Sequence, residues 1–394
     1  ILYRRKLFSS PLKPFEAFFG LGPLESVRCG LSFLAARLFP RSPEEDFETW
    51  VSNRFGRRLF SIFFKTYTEK VWGVPCTQIR ADWAAQRIRN LSLWKAVWHA
   101  VKPDRSVKTL IEEFDYPKLG PGQMWERFRA RLEERGSRVL TERRVARVSW
   151  QPSRGVTSVE TDGPNGAERF EGDAYVSSMA LADLALALDP VPPPEVLEAA
   201  RALRYRDYIL VAVMFEGERF FPDNWIYIHS PEVRIGRVQN FGNWSAAMVP
   251  RPGVTCLGLE YFCFDTDPVW SAPDEELLAL GRDEIVRTGL VPDGARVLDG
   301  AVVRMPKTYP MYDPGYGEKV ETVRRFLETS LPNLLQVGRN GMHRYNNQDH
   351  AMVTGLYAVR NLYGAANDLW SVNVDDEYHE EKRTPRPDGE GSRA

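Results

Sequence analysis

The chain has 394 residues, of which 43% are hydrophobic and 27% charged, enough to build more than one core and far from a disordered composition. Lys and Arg number 52 against 53 Asp and Glu, a net charge of −1, which argues against a general nucleic-acid binder. No uncharged apolar run reaches the roughly 20 residues of a membrane-spanning helix, and the four cysteines show no CxxC spacing, so neither a zinc site nor a disulfide framework is expected. The five histidines fall into no HExxH or HxxH pattern, and no metal site is expected. A reducing, cytoplasmic setting fits this cysteine usage.

Residues 1–112 read as a helical, aromatic-rich part. Trp50, Val51, Phe55, Leu59, Phe60, Phe63 and Phe64 recur at helical steps, and Trp83–Ile88 and Leu93–Val101 continue the pattern. Such a stripe packs a core or lines a pocket. Residues 113–190 change character. Gly120-Pro121-Gly122 is a turn, and Met124, Trp125, Phe128 and Leu132 mark a helix that stops at Gly136. Arg138–Leu140 and Val145–Trp150 read as strands. Gly155–Thr161 and Arg169–Glu171 read as a hairpin, and Ala174–Ser177 as a short buried strand. Within residues 191–300, Tyr208–Phe215, Trp225–His229, Arg234–Asn240 and Val254–Phe264 read as one antiparallel sheet. A helix with acidic residues near its start follows inside Pro268–Thr288. The charged tail, residues 366–394, reads as frayed from Asp375.

The most informative part is residues 301–365, and within it Leu334–Gly364. Leu334–Val337 suits a buried parallel strand, Gly338 ends it, and Arg339–Asn347 is a polar loop. A helix follows, with Asn346 as its expected N-cap and Asp349 three residues on. Strand, glycine loop and helix start together aim backbone N–H groups at whatever sits beyond the strand. Arg339 adds a fork suited to a phosphate. A flavin dinucleotide would use both, because its reduced ring carries negative charge that preorganised donors stabilise. An ordinary capped helix with a surface arginine is the plainer alternative. There is no G-x-G-x-x-G and no G-x-x-x-x-G-K-[ST] loop.

Phe63-Phe64-Lys65-Thr66-Tyr67-Thr68-Glu69-Lys70-Val71-Trp72-Gly73 resembles a segment of the UDP-galactopyranose mutases and related flavin oxidoreductases. Gly338-Arg339-Asn340-Gly341 through Tyr345-Asn346-Asn347-Gln348-Asp349-His350 resembles the C-terminal flavin signature of the same group, which includes protoporphyrinogen oxidase-like and amine oxidase-like proteins. The resemblance implies an α/β fold. An FAD-binding doubly wound domain without its N-terminal βαβ unit would be interleaved with a helical plus antiparallel-sheet substrate domain. It also implies a chain that begins downstream of a glycine fingerprint.

By position, the resemblance places Arg339 near the FAD pyrophosphate, with Gly338, Tyr345 and Asn346 in the same loop. It places Asn347, Gln348 and Asp349 near the flavin ring or ribityl chain, and Val145 near the adenine. Tyr67 and Trp72 fall where the mutases line their substrate pocket, and Tyr309 offers a further tyrosine there. Leu91 stands where the mutases carry a second arginine for substrate phosphates, which speaks against sugar-ring contraction. The expectation is therefore an FAD-dependent oxidoreductase acting on a small molecule by hydride transfer to flavin N5. The alternatives are a mutase-like isomerase and a cofactor-free remnant that purifies colourless. No histidine is assigned a catalytic role, His343 and His350 being expected as loop or capping residues.

Overall fold

A computed structural model describes residues 1–9, 12, 19–81 and 114–373. The helical readings of Trp83–Ile88 and Leu93–Val101, the comparison at Leu91 and the tail from Asp375 lie outside the described residues. Helix and sheet are mixed, and the described residues carry four sheets.

The first is a two-stranded ribbon of β1 (Leu2–Tyr3) and β2 (Lys6–Leu7). Helices α1 (Pro23–Leu38), α2 (Phe47–Phe55) and α3 (Thr66–Trp72) follow, with a short turn Arg57–Phe60 and a π-helical turn Ser61–Lys65 between the last two. The periodic aromatic run of the sequence is therefore broken. Gly56 at φ 84° ends α2, since a left-handed backbone suits a residue without Cβ. Asp46 caps α2 by accepting from Thr49 N at 2.8 Å. Phe47, Val51, Phe60, Ile62 and Phe63 close a core of their own under the ribbon.

Helix α4 (Gly122–Glu134) leads into the meander β3 (Arg144–Gln151), β4 (Gly155–Asp162) and β5 (Glu168–Phe170). Arg138–Leu140, expected as a strand, is irregular, because β3 takes β4 and β7 (Leu188–Asp189) as its two neighbours. β6 (Tyr175–Ser177) pairs in parallel with β13 (Leu334–Gln336), so Leu334 meets Tyr175 across 159 positions of sequence. β6 was expected buried, yet Val176 is 44% exposed, since β13 is its only strand partner among the described residues. Helices α5 (Pro194–Arg201) and α7 (Tyr316–Ser330) pack Val196, Ala200, Val323 and Leu327 onto Val148, Leu181 and Leu334.

The large sheet runs β12–β8–β11–β10–β9, all antiparallel, from β8 (Tyr205–Glu216), β9 (Trp225–Tyr227), β10 (Arg237–Asn240), β11 (Val254–Cys263) and β12 (Val297–Pro310). Strand β12 was not foreseen. One face of this sheet presents Ile209, Val211, Val213, Leu257, Leu259 and Val238 to α6 (Asp274–Thr288), which adds Leu277 and Ile285. With a side-chain period of two, the other face of β10 and β11 must carry Arg237, Gln239, Glu260 and Phe262. That face builds the site.

Candidate functional site

Helix α3 is fixed to the large sheet and to the β9–β10 connection by two cations, Lys70 and Arg206. Lys70 Nζ donates to the carbonyls of Ile228, Ser230 and Ile235 at 2.7–3.1 Å, and burial brings its pKa down to about 8. Arg206 closes the C-terminal end of the helix by donating to Lys70 O, Val71 O and Phe262 O. Gly73 is required there, because a Cβ would sit 2.5 Å from the Arg206 guanidinium carbon.

This anchoring sets Tyr67 flat on His229, with ring centres 5.0 Å apart and planes 5° apart, and edge-on to Tyr227 at 5.2 Å. Burial pushes the Tyr67 phenol upward and His229 down to about 3, so both are neutral. Beside them Arg237 and Glu260 face each other across β10 and β11. Gln239 Nε2 donates to the second Glu260 oxygen at 2.7 Å, and Arg237 Nη2 donates to Tyr309 Oη at 2.9 Å. Burial alone would lower Arg237, but Glu260, Tyr309 and Tyr67 together hold its pKa up, so it stays a cation. Its guanidinium also lies 5.0 Å from the Trp225 ring and 4.9 Å from that of Phe262.

The loop after β13 meets this face. Gly338 has φ 80°, and Gly338–Gly341 makes one helical turn. Gly341 packs flush on the end of β6, where a Cβ would stand 2.7 Å from Ser177 O. Arg339 Nε donates to Asn346 O at 2.8 Å and Nη1 to Thr308 O at 3.2 Å, and the guanidinium covers Tyr345 at 4.6 Å. The fork expected to meet a phosphate is thus partly spent on holding its own loop. Tyr345 stacks on Tyr309 at 5.5 Å and 13°, and Trp72 stands 6.5 Å away. Strand β12 makes this junction through a bulge between Met305 and Tyr309, where Lys307 takes φ 53° and its carbonyl accepts from Asn340 Nδ2 at 2.7 Å.

Helix α8 (Gln348–Leu362) starts one residue later than expected. Asn347 is its N-cap, forming a capping box with His350, so Asp349 is not the box partner. Asn346 is instead buried, donating to Gly338 O at 3.2 Å and accepting from Asn373. Asn347, Gln348 and Asp349 are exposed at the helix start. At the carboxyl end of the parallel pair, Ser177 Oγ and Asn340 Oδ1 are buried atoms without a hydrogen-bond partner. His343 is a core histidine. It lies edge-on to Tyr205 with Nε2 on Met311 O, and burial brings it down to about 4.

Of the residues named from sequence, Gly338, Arg339, Tyr345 and Asn346 form one loop, and Trp72 and Tyr309 meet that loop directly. Tyr67 joins through Tyr227, His229 and the field of Arg237. Val145 lies on a different sheet, on β3, packed against the core under the meander. Sequence reasoning missed Arg237, Glu260, Gln239, Tyr227 and His229. One signal was present: Glu260 is the single charged residue of the run Val254–Cys263.

Solved structures share this fold. A reduced UDP-galactopyranose mutase superposes with TM-score 0.73 at 18% identity, covering 90% of this chain and 76% of its own. A protoporphyrinogen oxidase-like protein from Exiguobacterium sp. 255-15 does so with TM-score 0.58 at 14% identity, covering 86% and 73%. The family model for flavin containing amine oxidoreductases matches residues 39–340, more than half of the chain. The chain belongs to the flavin-containing amine oxidoreductase family.

Proposed function

We propose that the protein is an FAD-dependent oxidoreductase that binds a small molecule against the aromatic face of Tyr67, Trp72, Tyr227, Tyr309 and Tyr345. The observation that carries this reading is the meeting of three separate segments, α3, the polar face of the large sheet and the loop after β13, around Tyr345. The residues present fit a flavin. Gly338 and Gly341 bring backbone to the carboxyl end of the parallel pair, where ligands of α/β folds gather. Two buried polar atoms there, Ser177 Oγ and Asn340 Oδ1, lack partners, and the first amides of α8 have no acceptor inside their own helix. Gly338, Asn340 and the α8 start would hold the flavin, and Arg339 would keep the loop in shape for it. When bound, a flavin supplies a hydride acceptor.

The chain's own residues do the rest. The tyrosine faces and Trp72 orient a flat or apolar substrate, or a sugar face, by stacking. Arg237 offers a fixed positive charge to a polar or anionic substituent, with Glu260 and Gln239 holding its angle. Neutral His229 stiffens Tyr67 from behind. In a second reading the same face serves an isomerase, favoured by the fold likeness to the mutase.

Anaerobic mixing of the FAD-loaded protein with candidate amines, porphyrinogens and sugar nucleotides separates the two. Bleaching of the flavin by substrate alone supports the oxidoreductase. Turnover only after dithionite pre-reduction supports the isomerase. Failure of the chain to take up FAD at all would overturn both.

A further inference from the structure

Helix α1 carries a second surface that the flavin reading does not use. Leu24, Val27, Leu31, Leu34 and Leu38 recur at three- and four-residue steps and are 55–72% exposed. Phe19 and Phe39, which flank the helix on its two sides in sequence, are 76% and 79% exposed. Isolated apolar residues on a surface are ordinary, but a contiguous stripe of this length marks an interaction site.

The stripe is bordered by a cationic cleft. At 100° per residue, Arg28 and Ser32 lie on the flank next to Leu24 and Leu31. They line a cleft of about 380 Å³ with Arg57, Arg58 and Ser61. Glu25 is the acid among these side chains. Arg58 holds it through Nε and, at 2.9 Å, Nη2, and Arg28 approaches it at 3.8 Å. Three arginines and one glutamate leave the cleft with a net charge of +2. Arg57 is in no ion pair among the described residues, and its turn is fixed against α1, where a Cβ on Gly56 would stand 2.7 Å from Phe33 N. Ser61 Oγ donates to Arg57 O at 2.9 Å, so its proton is spent within the turn and the arginines are the cleft's anion donors.

We propose that α1 lies on an anionic membrane surface, with its leucine and valine stripe in the acyl boundary and a lipid phosphate held by Arg28 and Arg57. An apolar stripe edged by guanidinium groups is the arrangement an interfacial helix needs. A two-fold pairing with a second copy fits less well, because it would bring two +2 clefts to one seam. The inference is independent of the flavin reading, and it needs no spanning helix, of which there is none among the described residues.

Flotation of the full chain with vesicles tests it. The protein is expected to float with phosphatidylcholine vesicles that contain phosphatidylglycerol, to stay behind with pure phosphatidylcholine, and to be released by salt. Leu31→Asp should abolish flotation. Arg28→Gln with Arg57→Gln should weaken it about tenfold, while far-UV circular dichroism stays unchanged for both variants. No flotation with anionic vesicles, or flotation that Leu31→Asp leaves intact, would overturn the proposal. So would a concentration-dependent dimer that Leu31→Asp dissolves in the absence of vesicle binding. Protection of the cleft by inorganic phosphate without vesicle binding would assign it to a soluble anion and overturn the membrane.

Discussion

His229 and His343 are the residues through which mildly acidic pH should act on this fold. Both are buried, and burial lowers them to about 3 and about 4 from an ordinary 6.5. The unfolded chain therefore binds protons near pH 6.5 that the folded chain refuses. Stability is full above that value and falls as pH drops toward 4, by about 2 kcal/mol per histidine between pH 6.5 and 5. The thermal midpoint should decline as pH falls below 6.5, while the lowered Lys70 adds only a slight rise from pH 7 to 8. His229→Phe should flatten part of that decline, and an unchanged slope would remove His229 from the account. Arg237 is the other sensitive residue. Arg237→Met leaves Glu260, whose side chain is 2% exposed, without its cation partner, and should cost about 3–5 kcal/mol in chemical denaturation. Adding Glu260→Gln should recover most of the loss. If the single variant is as stable as the parent, the pair is not what holds β10 to β11 on the site face.

At the scale of elements, two glycines in the last segment make opposite predictions. Gly341→Ala forces a Cβ to 2.7 Å from Ser177 O and 3.2 Å from Ser178 Cα, both backbone, and should cost about 1–3 kcal/mol and weaken FAD uptake. Gly355, inside α8, faces open space, so Gly355→Ala should stabilise by about 0.5–1 kcal/mol. Guanidinium midpoints for the two variants check both signs. The strands Tyr205–Glu216 and Val254–Cys263 were legible because each carries an apolar run rich in β-branched and aromatic residues, bounded by turn residues, and Leu334–Gln336 because a short apolar run ends at glycine. Strand Val297–Pro310 was not, because Asp299, Gly300 and Pro306 interrupt its pattern, and the bulge that accommodates Pro306 is a tertiary feature. The cap of α8 was misplaced by one residue because Asn346 and Asn347 are chemically alike. What separates them is that Asn346 turns inward to Gly338 O. The Arg237 and Glu260 pair was invisible for a related reason: strand register, not spacing, sets who stands opposite whom.

At the scale of the whole molecule, the sheet core draws on residues 209–291 together with Leu2, while the core below the parallel pair needs 148–205 and 323–334. Deleting residues 334–373 should therefore strip amide-exchange protection from 144–201 and leave most of it in 205–291. Equal loss in both would show that the two cores stand or fall together. The parallel pair has a temporal consequence. Asn333 donates to Val156 O at 2.9 Å and accepts from Val156 N at 2.8 Å, and the next three residues then zip along Tyr175–Ser177. During synthesis, β6 must wait for roughly 160 further residues to emerge, about ten to thirty seconds at ordinary ribosome speeds. For that interval its edge is an unmatched ribbon in a crowded cell. A nascent chain of this design depends on the intervening sheet closing early, or on a chaperone shielding the gap until the final strand docks.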